Sequence, residues 1–476
     1  MSASDIIGRE REKKLLEECY NSGESELVVV YGRRRVGKTY LIQTYFGDQF
    51  TFTLTGVYDK PRNVQLSNFA MSLEEYSGQR RPVPTNWSEA FVQLKELLKT
   101  KPAEERQVVF LDEMPWLDTQ KSDFLSAFEC FWNGWGSTRK NIMLIVCGSA
   151  TTWITDKILS DKGGLFNRAT RRIYLQPFTL HETEQYLLSK GIRWSRYDIA
   201  ESYMIMGGLP FYLKQMSATM TLSANIDNIF FRSNALLANE YEHLYNTLFK
   251  KARDYTTVVE ALSSKAYGLT RGEIIAETKM ADNGALTKIL TDLINSNLVI
   301  AYSYYASAKR GTIYQLTDAY TLFYFRFIRG NYGHDEHYWS NTLDNPRRNS
   351  WRGYAFEMVC KTHVRQIRHR IGIEGVLCET SSWYSREENP RGAQIDLVID
   401  RRDRVINLCE MKYSVSEFVI DKDYDMVLRN KIEAFRRGTK SRKALQLTMI
   451  TTYGVRQNMY SGIVSSEVVL DDLFEP

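Results

Sequence analysis

The segment Gly32-Arg33-Arg34-Arg35-Val36-Gly37-Lys38-Thr39 sets two glycines, a lysine and a hydroxyl at the spacing G-x-x-x-x-G-K-[ST]. Gly32 and Gly37 let the backbone turn so tightly that successive N–H groups point at one anion. Lys38 can then reach the β and γ phosphates of a nucleoside triphosphate, and the Thr39 hydroxyl can ligate its Mg²⁺. Tyr40 follows directly and is counted with the candidate binding segment. Farther on, Asp112-Glu113 ends an apolar run. In phosphoryl transfer such a pair divides the work: Asp112 holds the magnesium through its coordination shell and Glu113 polarises the attacking water. Gly148-Ser149 ends another apolar run, where the Ser149 side chain could sense the γ-phosphate.

A second constellation lies near the carboxy terminus. Residues 394–400 and 404–413 are strand-like runs joined by the charged turn Arg401-Arg402-Asp403. Folded as a hairpin about that turn, Asp396 falls nearly opposite Glu410, and Lys412 shares the Glu410 face because strand side chains alternate. Two carboxylates and an ammonium then converge. The carboxylates make a hard oxygen site for Mg²⁺, and the lysine can orient or help deprotonate a water.

The elements that must position these residues follow from periodicity. Residues 26–31 are a short apolar, β-branched run that suits a buried parallel strand. The helical spacing of Leu41, Ile42, Tyr45 and Phe46 supplies the helix that must follow a phosphate-binding loop, adding its positive dipole end. Residues 107–111 and 142–147 are the strands that deliver Asp112 and Ser149. In the middle of the chain, Thr270-Arg-Gly-Glu273 is a capping box. Leu286, Ile289, Leu290, Leu293 and Ile294 then mark an amphipathic helix. A strand, a polar tip at 307–311 and a second strand follow, so the segment reads as a winged helix. Its helix over 284–295 turns Thr287, Lys288, Thr291, Asp292 and Asn295 outward, with Lys309 and Arg310 at the wing tip. So few bases neutralise little DNA phosphate, which favours docking of a protein over direct reading of DNA.

The chain of 476 residues is too long for one hydrophobic core and calls for two to four domains. At 43% hydrophobic and 25% charged residues it reads as folded and soluble, with no segment near the ~18 apolar residues of a membrane helix. The amino terminus lacks the pattern of a signal peptide. Six cysteines without a C-x-x-C pair point to a reduced, cytoplasmic setting. A net charge of +5 is compatible with nucleic-acid binding without demanding it.

Gly8-Arg9-Glu10, the two phosphate motifs, Gly148-Ser149 and Gly207-Gly208-Leu209-Pro210 together resemble the archaeal-type ATPases of the AAA+/STAND group of P-loop proteins. The resemblance implies that Gly8 and Arg9 frame the adenine and that Pro210 sits in a small helical lid. It also implies that Arg168, in Leu165-Phe166-Asn167-Arg168, reaches a neighbouring subunit's nucleotide, which would require a homo-oligomer. Asp396, a thirteen-residue gap and Glu410-x-Lys412 resemble the PD-(D/E)XK nuclease superfamily. That second resemblance assigns Glu357, on a helix beginning near Trp351, to the metal site, and places Lys431 nearby. His363 and His369 read as surface residues. Basic residues cluster at Lys361, Arg365, Arg368 and Arg370, and again at Arg436, Arg437, Lys440, Arg442 and Lys443.

The expected architecture is α/β: a P-loop NTPase core over residues 1–175, a helical lid over 176–235, a winged helix over 236–330, and a restriction-endonuclease-like domain over 331–476. The expected function is ATP binding and hydrolysis, with Mg²⁺, in a protein acting on DNA through a magnesium-dependent endonuclease domain. The alternative is a STAND-like switch whose carboxy-terminal domain only binds nucleic acid or a protein.

Overall fold

The computed structural model describes residues 5–149, 151–160, 165, 167–305, 311–331, 334–385 and 393–476. Lys309 and Arg310 of the expected wing tip lie outside the described residues. The chain divides into two units, Met1–Pro177 and Phe178–Pro476.

In the first unit, five strands form one parallel sheet: β1 (Glu26–Tyr31), β2 (Phe50–Thr55), β3 (Gln107–Asp112), β4 (Ile142–Gly148) and β5 (Arg171–Tyr174). Their order is β2-β3-β4-β1-β5, so β4 lies between the strand leading into the glycine-rich loop and the strand ending at Asp112. β1, β3 and β4 are apolar and almost wholly buried, as expected for parallel strands covered on both faces. Leu27, Val29, Leu144 and Val146 join Phe69, Trp87, Phe91, Phe124 and Phe128 in the main core. The helix Trp87–Lys99 brings two of those rings, starting where Asn86 accepts the Glu89 N–H. Trp87 and Phe124 pack edge to face at 4.9 Å, a favoured aromatic geometry.

The second unit begins with Leu180–Ser189, opened by a capping box of Thr179 and Glu182. Arg196–Met206 follows, and Pro210–Leu213 after it. The middle segment has helices Ala252–Ser263, Arg271–Thr278 and Gly284–Asn295 beside a three-stranded antiparallel sheet. Its strands are β6 (Leu269–Thr270), β7 (Val299–Tyr302) and β8 (Ile313–Leu316), in the order β6-β8-β7. Thr270 and Glu273 form the expected capping box. Asp292 departs from expectation: instead of facing outward it is buried, because Tyr255 from the helix Ala252–Ser263 donates its hydroxyl to it and Lys288 pairs with it at 3.1 Å.

The last sheet comprises β9 (Cys378–Tyr384), β10 (Gln394–Arg401), β11 (Val405–Lys412), β12 (Ala444–Thr451) and β13 (Ser466–Val469), in the order β13-β12-β11-β10-β9. β9, β10 and β11 are antiparallel neighbours, and β11, β12 and β13 run parallel. Helices Pro346–Thr362 and Lys422–Thr439 carry side chains to it. Among the described residues no helix is long and apolar enough to cross a membrane.

A buried ion network ties the helix Arg196–Met206 to Pro346–Thr362. Glu201 accepts from Arg348 at 2.7 Å and from Arg352 at 2.9 Å, and the Arg348 guanidinium also donates to Trp339 O and stacks 3.8 Å from the Trp339 ring centroid. Nearby, His363 is buried rather than at the surface: Nε2 accepts the Leu180 N–H at 3.1 Å, and burial lowers its pKa to about 4. Removing one partner of a buried pair leaves the other charge uncompensated. Glu201→Ala is therefore expected to lower unfolding free energy by about 3–5 kcal/mol in a denaturant titration, against about 1 kcal/mol for exchange of a surface pair such as Arg81–Glu96.

Candidate functional site

The glycine-rich loop is built by backbone conformation. Gly32 has φ 141°, and a β-carbon there would come within 2.2 Å of Leu175 O, so only glycine fits. Gly37 caps the helix Lys38–Phe46 with φ 89°. Arg33 and Val36 are buried, Arg34 and Arg35 half-buried, and Tyr40 is exposed. The Lys38 ammonium is buried and donates to Gly32 O and Arg33 O, both at 2.9 Å. Burial lowers its pKa, with Cys147, Glu113 and Asp112 acting the other way. Arg9, buried with Gly8, donates to Val36 O at 3.3 Å, which puts the expected adenine-side pair against the loop.

The ends of β3 and β4 complete this site. The Thr39 hydroxyl donates to Asp112 Oδ2 at 2.8 Å. Burial, and then the neighbouring Glu113, raise the Asp112 pKa. Glu113 stands at φ 46°, a conformation costly for a non-glycine residue and recurrent at functional sites. Its Oε1 accepts the Ser149 hydroxyl at 2.6 Å and its Oε2 the Ser149 N–H at 3.2 Å. The interposed strand β4 explains this grouping: register pairs Tyr31 with Gly148, which brings Ser149 between the loop and Glu113. Arg168 lies on an exposed turn. In the second unit, Pro210 opens the helix Pro210–Leu213 after Gly207 and Gly208, both at positive φ; a β-carbon at Gly208 would meet Phe178 O at 2.3 Å.

The carboxy-terminal sheet sets Asp396 opposite Glu410, with Lys412 beside it. Leu397 pairs with Cys409, so the next position along β10 sets Asp396 opposite Glu410. A register shift between Ile395 and Val398 against β9 re-aims Asp396, whose carbonyl accepts from Ser382 and whose Oδ1 accepts from Gln394 at 2.6 Å. Glu410 is buried and fully engaged: Lys431 reaches Oε2 at 2.7 Å, Tyr424 reaches Oε1 at 2.6 Å, and Lys412 lies 3.2 Å from Oε1. Burial pushes its pKa up, but Lys431 and Lys412 outweigh that and hold it below the usual carboxylate range. Glu357 has the opposite environment. Burial, then Asp396, raise its pKa to about 8, and its Oε2 is buried without a hydrogen-bond partner among the described residues.

The trio expected as metal ligands is thus brought into one electrostatic neighbourhood without forming a ready-made cage. Among the described residues no three His, Cys, Asp or Glu side chains are placed to hold a metal ion. The physical reason is that Glu410 is turned to Lys431 and Tyr424.

Several neighbours escaped the sequence reading. Tyr424 sits seven residues before Lys431 on one helix, a spacing that shares a helix face and could have been read; Lys361, named from the sequence only as part of a basic cluster, lies four after Glu357 on the same helix. Tyr267 and Tyr302 of the middle segment carried no such signal. Tyr302 donates to Tyr267 O at 2.9 Å and lies under the Lys361 ammonium, 5.8 Å from its ring centroid. Burial, then Glu357 and Asp396, push the Tyr267 phenol up to about 12. Tyr304 bridges to Ser382, and Tyr305 donates to Asp400 at 3.0 Å, so the middle segment is seated on the edge strand β9.

Residues 6–216 match the model of a family described as an ATPase domain predominantly from Archaea. Over 434 residues, 89% of this chain and 90% of the relative, the chain is 24% identical to an uncharacterized protein of Methanocaldococcus jannaschii. A 40-residue stretch, 8% of this chain and 68% of the relative, is 44% identical to an uncharacterized ATP-binding protein of the same archaeon. Among solved structures, the Walker-type ATPase of Pyrococcus abyssi aligns over 68% of this chain and 97% of its own, at 16% identity and a TM-score of 0.47. The amino-terminal part of the chain is a P-loop ATPase domain.

The Glu357 carboxyl gives a pH prediction. Its folded pKa of about 8 exceeds its ordinary 4.5, so the proton it retains contributes stability that is fully present below pH 4.5 and lost as pH rises through about 8. In thermal unfolding with chelator present, Glu357→Gln should match the parent near pH 4.5 and exceed it at alkaline pH. A gap that is constant across that window contradicts the assignment.

Proposed function

We propose that this chain binds and hydrolyses ATP at its glycine-rich loop and acts on DNA through a magnesium-dependent endonuclease centre in its carboxy-terminal sheet. The nuclease half of that reading is supported by one observation above the others: Glu357 Oε2 is buried beside Asp396 without a hydrogen-bond partner among the described residues, with Lys412 close to Glu410. An unsatisfied buried polar atom costs about 1–3 kcal/mol or more, and a hard divalent cation would satisfy it. Magnesium commonly takes only one or two carboxylates and keeps water or phosphate oxygens in its remaining positions, so Glu357 and Asp396 would serve as its ligands. Such an ion would polarise a phosphodiester and acidify a bound water. Lys412, one-third exposed, can orient that water, while Glu410, Lys431 and Tyr424 fix its place.

In the ATPase half, Lys38 would meet the β and γ phosphates, and Thr39 with Asp112 would hold the magnesium. Glu113 would polarise the attacking water and Ser149 would sense the γ-phosphate. Gly8 and Arg9 would frame the base, Pro210 would belong to the lid, and Arg168 would serve a neighbouring copy in a homo-oligomer. Residues 1–175, 176–235, 236–330 and 331–476 would be core, lid, winged helix and nuclease-like domain. The seat of Tyr304 and Tyr305 on β9 supports a docking role for the winged helix.

A second reading, a switch whose carboxy-terminal domain only binds nucleic acid or a protein, is favoured by the closure of Glu410 under Lys431 and Tyr424.

Lys38→Ala should abolish ATP binding in equilibrium titration. Glu113→Gln should still bind ATP yet hydrolyse it roughly 100-fold or more slowly; undiminished turnover there would remove Glu113 from the water. With plasmid and linear DNA, Mg²⁺ or Mn²⁺, and ATP present or absent, the parent should cut and Lys412→Ala should not, with its ATP hydrolysis unchanged. No cutting by the parent under any of these conditions would select the switch reading.

A further inference from the structure

Two basic clusters stand on the carboxy-terminal part of the chain, and they differ in whether acids neutralise them. Arg365 and His369 both meet Glu374, at 3.6 and 3.0 Å, and Arg370 meets Asp472 at 3.1 Å. Arg436, Arg437, Lys440 and Arg442 are exposed and form no ion pair among the described residues. Arg402 and Arg404, on the turn between β10 and β11, are likewise exposed and unpaired there.

These six residues share one end of the sheet. Ala444 N donates to Arg404 O at 3.0 Å, and Lys443 reaches Arg401 O at 2.9 Å and pairs with Asp400. The segment Lys440–Lys443 is therefore laid against the Arg402–Arg404 turn. Asp403 on this turn is paired with Arg401, and Asp400 with Lys443; Glu379, opposite Asp400, and Glu433 are the further exposed acids here, so eight positive charges meet four negative ones. The negative end of the helix Lys422–Thr439 accounts for Arg436 and Arg437. It does not account for two further arginines on a separate turn. Like charges gathered without partners repel one another, and a polymer of regularly spaced anions relieves that repulsion with release of its counterions.

We propose that Arg402, Arg404, Arg436, Arg437, Lys440 and Arg442 hold the phosphate backbone of duplex DNA. Glu410 lies six residues along β11 from Arg404, which at a strand's rise of about 3.3 Å per residue sets this surface about 20 Å from the carboxylates. That span corresponds to about six base pairs. The surface anchors DNA and leaves the chemistry to the carboxylate centre. The inference rests on the DNA-acting reading above and says where the DNA is held.

The test is binding of a labelled duplex of about 30 base pairs to the full chain, followed by anisotropy in chelator across a salt series, so that cutting plays no part. The quadruple variant R436E/R437E/K440E/R442E should lose at least tenfold in affinity. Its slope of log affinity on log salt should fall by about 0.9 for each contact removed. The milder pair R402Q/R404Q, on a solvent-exposed turn, should lower the slope by about two contacts' worth. R365E/R370E should change affinity by less than about threefold, since those arginines are already paired. Unchanged affinity and slope in the first two variants, or an equal loss in the third, would overturn the proposal. So would binding to anionic vesicles in place of DNA. Salt-sensitive DNA binding that depends on these six residues, in a protein that never cuts, would leave the anchor standing and remove the nuclease reading alone.

Discussion

A carboxyl buried among other carboxylates cannot stay ionised unless positive charge is brought to it, and the carboxy-terminal sheet is organised around that constraint. Glu410 meets it with two lysines and a phenol, and stays ionised despite its burial. Glu357, beside Asp396, meets it by keeping a proton to about pH 8, since Lys361 and Lys412 offset its burial only in part. Glu410 is thus compensated by the lysines it contacts, and Glu357 by its own proton. In the glycine-rich loop the Lys38 ammonium is buried against the carbonyl oxygens of Gly32 and Arg33.

Topology sets both groups of residues in place. Insertion of β4 between β1 and β3 brings Ser149 to Glu113 while Thr39 reaches Asp112, so two hydroxyls organise two carboxylates at neighbouring strand ends. In the last sheet, the hairpin register opposes Asp396 to Glu410, and the irregularity against β9 turns Asp396 toward Gln394 and Ser382. The Glu201–Arg348–Arg352 network then fastens the helix bearing Glu357 to the helix preceding Gly207 and Pro210. Part of the second unit that follows the ATPase core is in this way rigidly joined to the element that carries a candidate metal ligand.

Much of this was legible in the sequence, because glycine spacing and strand alternation act locally. The loop, its flanking strand and helix, the capping box at Thr270 and the opposition of Asp396 to Glu410 all depend on residues close in the chain. The misreadings share the opposite property. Asp292 looked like an outward-facing acid until Tyr255 reached it from another helix, and His363 looked exposed until Leu180 was packed over it. Closure of Glu410 by Tyr424 and Lys431 likewise needs a helix folded back across the sheet. Helical periodicity identifies a face, but it does not say which buried charge that face will meet.

The most direct measurement is calorimetric titration of Mn²⁺ into the nucleotide-free protein at pH 7 and at pH 9, in buffers of different ionisation enthalpy. If Glu357 carries a proton that the cation displaces, binding at pH 7 should release about one proton, release should shrink at pH 9, and Glu357→Gln should abolish both. Binding that releases no proton at either pH, or that persists unchanged in Glu357→Gln, would contradict the account.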